Sequence, residues 1–436
     1  MTFRKANRVC SQRNSFSPAV GLCQSEVVTR MEKLLADLIA LPSVNPAFAP
    51  QSGTATRPVL RGSTAEGGQA GPAKHGEKKV ADFLASVVAK AGLEVELQNV
   101  LPGRANLIVR LFSQRKTRQT IVLAPHLDTV DADDSQFVPR TKNGRLYGRG
   151  ACDTKGSIAA MFTALCELAE SKNRPRETEI IFAGLIDEEH AQAGSRALVA
   201  QASRLSPFFK KVRDRQDACP TLAIVGEPTR LRVVTAHKGS LWLRLETRGK
   251  AAHGATPQLG RNAVREMACI VEALETEYAS RLRRRKHPLL GAATASVGTI
   301  CGGTQPNIVP DRCVISIDRR TLPGETEAGV RREIAAFLRA KRLSANISSV
   351  KLAPALPMET NPNLPLVRQF LQSIGQTEPA GVDYFCDAAV LADAGIPSVV
   401  FGPGDIAQAH TTDEWISLAE LERGKDLLLN FLKSLP

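Results

Sequence analysis

Four short runs in this chain are apolar almost throughout: TIVLA at 120–124, IIFAGLI at 180–186, LAIV at 222–225 and SVVF at 398–401. A strand with one face in water alternates polar and apolar residues, so runs without alternation must be covered on both faces. Between and around them lie stretches with helical spacing, at 31–41, 78–91, 156–169, from 195 onward, at 364–373 and at 388–394. That alternation specifies an α/β protein whose sheet is sandwiched between helices.

Each run gives way to charged or imidazole side chains. His126 and Asp128 follow the first, Asp187, Glu188 and Glu189 the second, and Glu227 the third, while His410 lies in the loop after the fourth. In open α/β sheets the carboxyl ends of the strands form the ligand crevice, so these groups are expected to converge on one edge. Asp153, in YGRGACDTKGS, opens the helix at 156–169, where backbone N–H groups favour negative charge. Singly these are ordinary features: a loop histidine, a solvated acidic triplet, a helix-capping Asp. Together, two imidazoles and three carboxylates are the nitrogen and oxygen donors that Zn2+ takes. A shared carboxylate would let two ions sit about 3.5 to 4 Å apart, the spacing of hydrolytic two-metal sites.

After Leu231 the texture changes. The alternating strands SLWLRLETRG and CVISIDRRT are each followed by a helical stretch, at 260–278 and 326–341, an order that fits a ferredoxin-like two-layer unit. From Asn361 the first texture returns. The expected organisation is therefore a larger domain made of 31–230 and 356–436, with 231–355 inserted as a smaller dimerisation or lid domain and a hinge near residues 231 and 355. The first 30 residues, Arg- and Ser-rich, are expected to be a disordered extension, with Met31 as a second candidate start. The Gly- and Pro-rich segment 46–75 is expected to be a mobile loop.

The formal charge of +13 raises the question of a nucleic-acid partner. Most of the excess sits in two short patches, the first 30 residues and the knot Arg281 to Lys286, which reads as a solvated face. With three Tyr and two Trp there is little surface for stacking bases, which argues against that class. No run approaches the about 18 apolar residues of a membrane span, so no membrane role is expected. Nine cysteines without a CxxC pair suit a reducing compartment, hence the cytoplasm.

From residue 31 onward the chain carries PHLDTV (125–130), GRGACDTKG (148–156), DEE (187–189), VGEPT (225–229), GKAAHGATP (249–257), GGTQPNIVP (302–310), DRRTLPGE (318–325) and GPGDIAQAHTTDE (402–414). This ordered set resembles the metallohydrolases that include acetylornithine deacetylase, succinyl-diaminopimelate desuccinylase, aminoacylase and carboxypeptidase G. The resemblance implies two Zn2+ ions, with Co2+ or Mn2+ able to substitute, bridged by Asp153. One ion would be completed by Glu189 and His410, the other by His126 and Glu227. Glu188 would be the general base, and Asp128 would accept the second ring N–H of His126 and orient it. His253 would reach into the active site of the partner subunit of a homodimer and stabilise the oxyanion. Asn307 and Arg320 would hold the substrate carboxylate, with Arg319, its neighbour on a strand, facing the other way. Many relatives carry Gly where this chain has Ala191.

The activity so implied is hydrolysis of the amide of an N-acyl amino acid or short peptide. AHKG and GPGDIAQAH look more like the acetylornithine deacetylase and succinyl-diaminopimelate desuccinylase branch than like aminoacylase. A dipeptidase or carboxypeptidase G-like peptidase is the alternative, and a basic nucleic-acid-binding protein the reading from a different class.

Overall fold

A computed structural model describes residues 29–49, 75–88, 93–205, 221–350 and 355–436. Of the expected extension 1–30, residues 1–28 lie outside the described residues, as do 50–74 of the expected loop 46–75, while Arg30 already opens the first helix.

The fully apolar runs form the middle of a mixed sheet. Its order is Glu94–Leu101, Arg104–Leu111, Thr178–Gly184, Gln119–Pro125, Thr221–Gly226, Ser398–Val400, Val234–His237 and Met358–Glu359, with Ala380–Val382 also paired to Val234–His237. Gln119–Pro125 runs parallel to both its neighbours, and Thr221–Gly226 is parallel to Ser398–Val400. The hairpin Glu94–Leu111 closes one side in antiparallel pairing. Successive side chains on a strand point to opposite faces. Ile121 and Leu123 accordingly pack with Leu35, Leu84, Phe162 and Phe370 on one side, while Val122 and Ala124 pack with Leu198, Ala388 and Leu391 on the other. The helices Arg30–Ile39, Lys78–Val88, Lys155–Glu170, Pro365–Ser373 and Leu418–Lys433 cover the first face, and Ala193–Leu205 with Ala388–Asp393 the second. Lys155–Glu170 is buried almost all round, so its apolar run has no solvent side.

After His237 the chain enters a second, antiparallel sheet, ordered Thr294–Gly302, Arg312–Thr321, Gly239–Arg248 and Asn346–Ser349. Leu243, Leu245, Ile315 and Ile317 face Met267, Ile270, Ile334 and Phe337 of two helices, Ala263–Ala273 (continuing through a π turn to Arg283) and Glu327–Ala340. Strand, helix, two strands, helix, strand in this spatial order is the ferredoxin-like unit. The chain then rejoins the large sheet at Met358–Glu359, antiparallel to the strand it left, with Met358 opposite His237.

Arg319 and Arg320 lie on opposite faces. Arg319 is fully buried, donating through Nε to Tyr278 Oη at 3.3 Å and through Nη2 to Glu325 at 2.7 Å, whereas Arg320 is half-buried on the other face. The basic knot differs from a simple solvated face. Arg281 lies over the Phe337 ring at 4.8 Å and Arg285 pairs with Glu325 and Glu333, so part of its charge is neutralised within the smaller unit. Among the described residues no helix is long and apolar enough to cross a membrane.

Candidate active site

His126 directly follows Gln119–Pro125 and is 2% exposed. Its Nε2 lies 3.0 Å from Asp153 Oδ1 and 3.8 Å from Glu227 Oε1. The other carboxylate oxygen of Asp153 is 3.3 Å from His410 Nε2, which is also 3.2 Å from Glu189 Oε1. Two trios able to hold a metal ion result, His126–Asp153–Glu227 and Asp153–Glu189–His410, with the ligand atoms of each within 4.8 Å of one another. Asp153 belongs to both.

Asp128 holds the crevice together from behind. Its Oδ1 accepts the main-chain N–H of Glu188 at 3.1 Å, and its Oδ2 accepts that of Glu189 at 3.2 Å and the Asn45 side-chain amide at 2.7 Å. The nearest acceptor for His126 Nδ1 is the main-chain carbonyl of Asp128 at 3.0 Å, with the Oδ1 carboxylate at 3.5 Å. Either contact places the proton on Nδ1 and turns the Nε2 lone pair toward Asp153. Asn45 also donates to Asp187 Oδ1 at 3.0 Å, and Arg104 bonds both Glu77 and Asp187. Asp187 and His410 adopt left-handed backbone (φ 67° and 62°), a conformation that Asp and His tolerate better than most residues.

Several of these supporting groups were not foreseen from the sequence. Asn45, Glu77 and Arg104 come from segments with no motif of their own, and Glu414, discussed below, ends a motif in which only His410 had drawn a role. Asp387, 1% exposed, accepts from Ser195 Oγ at 2.6 Å, and burial pushes its carboxyl up to about 7. Tyr384 donates to the Pro228 carbonyl at 3.0 Å.

The electrostatics of the cluster favour positive charge at its centre. Burial, with neighbouring carboxylates adding to it, raises Glu188 and Glu227 well above the usual carboxylate range. Burial would lower His126, yet Asp128 and Asp153 drive it well above the usual imidazole value, and Asp153 with Glu189 pushes His410 up to about 10. The chain's own groups thus draw in protons to offset crowded carboxylates. The flanking arginines are committed elsewhere, Arg149 to Glu414 and Arg104 to Glu77 and Asp187. A divalent cation in each trio would supply that charge, and one imidazole with two carboxylates is a donor set that Zn2+ accepts.

The remaining candidates lie on the smaller unit. Arg320 bonds Asp318 at 3.0 Å and lies 6.0 Å from the centre of the Phe385 ring, so it borders the larger unit. His253 and Asn307 are exposed and adjacent: Gly254 N–H donates to the Asn307 carbonyl at 2.7 Å, and His253 pairs with Ile308. Neither His253 nor Asn307 belongs to the two trios.

Residues 122–434 match the model of peptidase family M20/M25/M40. Acetylornithine deacetylase of Edwardsiella ictaluri (strain 93-146) is 30% identical over 351 residues, which span 78% of this chain and 86% of that protein. In fold, the M20 family metallo-carboxypeptidase Sso-CP2 of Sulfolobus solfataricus gives a TM-score of 0.67 at 18% identity, covering 93% of this chain and 99% of that one. The YXEP protein of Bacillus subtilis, a dinuclear metal binding peptidase from the M20 family, gives 0.61 at 13% identity over 93% and 97%. With most of its length inside the family model, the chain belongs to peptidase family M20/M25/M40 and is a metal-dependent hydrolase of amide bonds.

Proposed function

We propose that the chain is a dinuclear zinc amidohydrolase that removes the acyl group from an N-acylated amino acid, of the acetylornithine deacetylase or succinyl-diaminopimelate desuccinylase type. The observation that carries this reading is the double engagement of Asp153, one oxygen toward His126 and the other toward His410. In this reading His126, Asp153 and Glu227 hold one ion, and Asp153, Glu189 and His410 the other. Bound metal would supply an acidified water and polarisation of the amide carbonyl. Glu188, outside both trios, takes the proton of the attacking water and delivers it to the leaving nitrogen. Its raised proton affinity suits a group that must both accept and return a proton near neutral pH. Asp128 keeps His126 and the backbone of Glu188 and Glu189 in register.

Arg320, at the border with the larger unit, receives the substrate carboxylate, a task for which its planar fork is suited. His253 and Asn307, exposed and part of neither trio of their own chain, support a homodimer in which they complete the site of the second copy. The cysteine set supports a cytoplasmic setting, and those described are free thiols.

His253→Ala should keep its zinc and lose about 10²- to 10³-fold in kcat, the usual cost of removing one oxyanion donor. Mixing it with Glu188→Gln subunits should recover part of the activity, because each hybrid dimer contains one intact site. Absence of recovery in verified hybrids would refute donation across the interface.

The substrate is tested by offering the zinc-loaded protein N-acetylornithine, N-succinyl-diaminopimelate, N-acetylmethionine and a set of dipeptides, with and without a chelator. Chelator-sensitive cleavage of one acylated amino acid well above the rest is expected. Preference for dipeptides would replace this reading with the peptidase one, and silence on all with both metals bound would overturn it.

A further inference from the structure

We infer that Glu414 is a positioning residue of the metal centre, the side chain that fixes the spacing between Asp153 and His410. The inference rests on the reading of Asp153, Glu189 and His410 as a metal trio.

Glu414 is 1% exposed. Its Oε1 accepts the main-chain N–H groups of Cys152 at 2.8 Å and Asp153 at 3.0 Å. Its Oε2 accepts the N–H of Gly150 at 3.0 Å and Arg149 Nη1 at 2.7 Å. All these donors lie in 149–153, and one belongs to Asp153 itself. The acceptor sits on the loop that carries His410. The same two loops meet elsewhere: Gly148 N–H donates to the Glu414 carbonyl at 3.0 Å, and Cys152 Sγ donates to the Asp405 carbonyl at 3.3 Å. Gln136, whose own carbonyl receives Arg149 N–H, donates to the carbonyls of Thr411 and Thr412.

The chemistry of the acceptor matters. A carboxylate offers two oxygens and no donor, matching a loop that presents only N–H groups; charge-assisted bonds of this kind are the strong ones. An amide of the same shape would turn an NH2 group toward those donors. The dependence of the two trios on this contact is unequal. His126 and Glu227 leave the ends of the central strands Gln119–Pro125 and Thr221–Gly226 directly, whereas His410 is half-exposed on a loop with no strand to hold it. Releasing Glu414 should therefore loosen the trio containing His410 and spare the other.

The test is a cobalt titration of the metal-free full chain, followed by the d–d absorption of Co2+, with circular dichroism confirming the fold. Wild type should load in two steps. In Glu414→Gln the first step should be unchanged and the second weakened about 10- to 100-fold, the effect typical of groups that orient metal ligands. If both steps match wild type, or both weaken equally, the positioning role is refuted. Should Glu414→Gln fail to fold, Glu414→Asp, which keeps the charge but is one methylene shorter, should show the same selective loss of the second step, and an unaltered second step would refute the role. A wild-type chain that takes up a single cobalt ion would instead overturn the two-ion reading beneath this inference.

Discussion

Glu188→Gln should keep its metal content and lose about 10²- to 10⁴-fold in kcat, the range for removing a general base. Three features of its position lead to this expectation. Glu188 is 8% exposed, and burial, with neighbouring carboxylates adding to it, raises its proton affinity. Neither trio includes it, so its loss removes no ligand. Its place is set through the backbone, because its N–H donates to Asp128, and glutamine leaves that bond intact. Shape and position are thus preserved while the capacity to hold a proton is lost. Metal content by atomic absorption and turnover should therefore separate cleanly. If metal and activity disappear together, Glu188 is a ligand and its distinction from Glu189 is mistaken; if activity persists, another group is the base.

In the proposed two-ion site, Asp153→Ala should strip both metals and abolish turnover. Each trio would fall to two protein ligands, and the bridge that lets one carboxylate serve two ions would vanish. The loss in affinity should exceed the about 10- to 100-fold typical of groups that only orient ligands. His410→Ala is the informative contrast, since it belongs to one trio and should leave the other ion bound. Metal stoichiometry after gel filtration decides between them. An Asp153→Ala chain that retains one ion at wild-type affinity would show that Asp153 serves a single site.

What the sequence revealed and what it hid have physical causes. The central strands were legible because burial on both faces leaves no polar position to obscure the run. The edge strands were not. Glu94–Leu101 is mostly exposed with a buried Gln98, and Thr294–Gly302 has no fully buried residue, so neither shows a clear two-residue period. His126, Glu189 and Glu227 could be placed on one sheet edge because each follows a strand within a few residues. Their supports could not, because the partners are remote: Asn45 meets Asp128 across 83 residues, and Arg149 meets Glu414 across 265. Glu414 in particular reads as one more acid in a polar turn, and only the folded chain shows the N–H groups gathered around it. For His253 and Asn307 neither sequence nor a single chain completes the picture, since both are exposed on the smaller unit.

The strand by which the chain leaves the large sheet and the strand by which it returns are hydrogen-bonded to each other, Ala236 opposite Glu359 and His237 opposite Met358. To the large sheet, the whole ferredoxin-like unit is therefore no more than the tip of a hairpin. Lengthening a closed loop is inexpensive, about 0.6 kcal/mol for each doubling, so such a tip tolerates great changes in size and content. The large sheet and the inserted unit are accordingly able to evolve at separate rates, the one constrained by its buried strands and the other grafted at a point where the sheet registers only two adjacent chain ends.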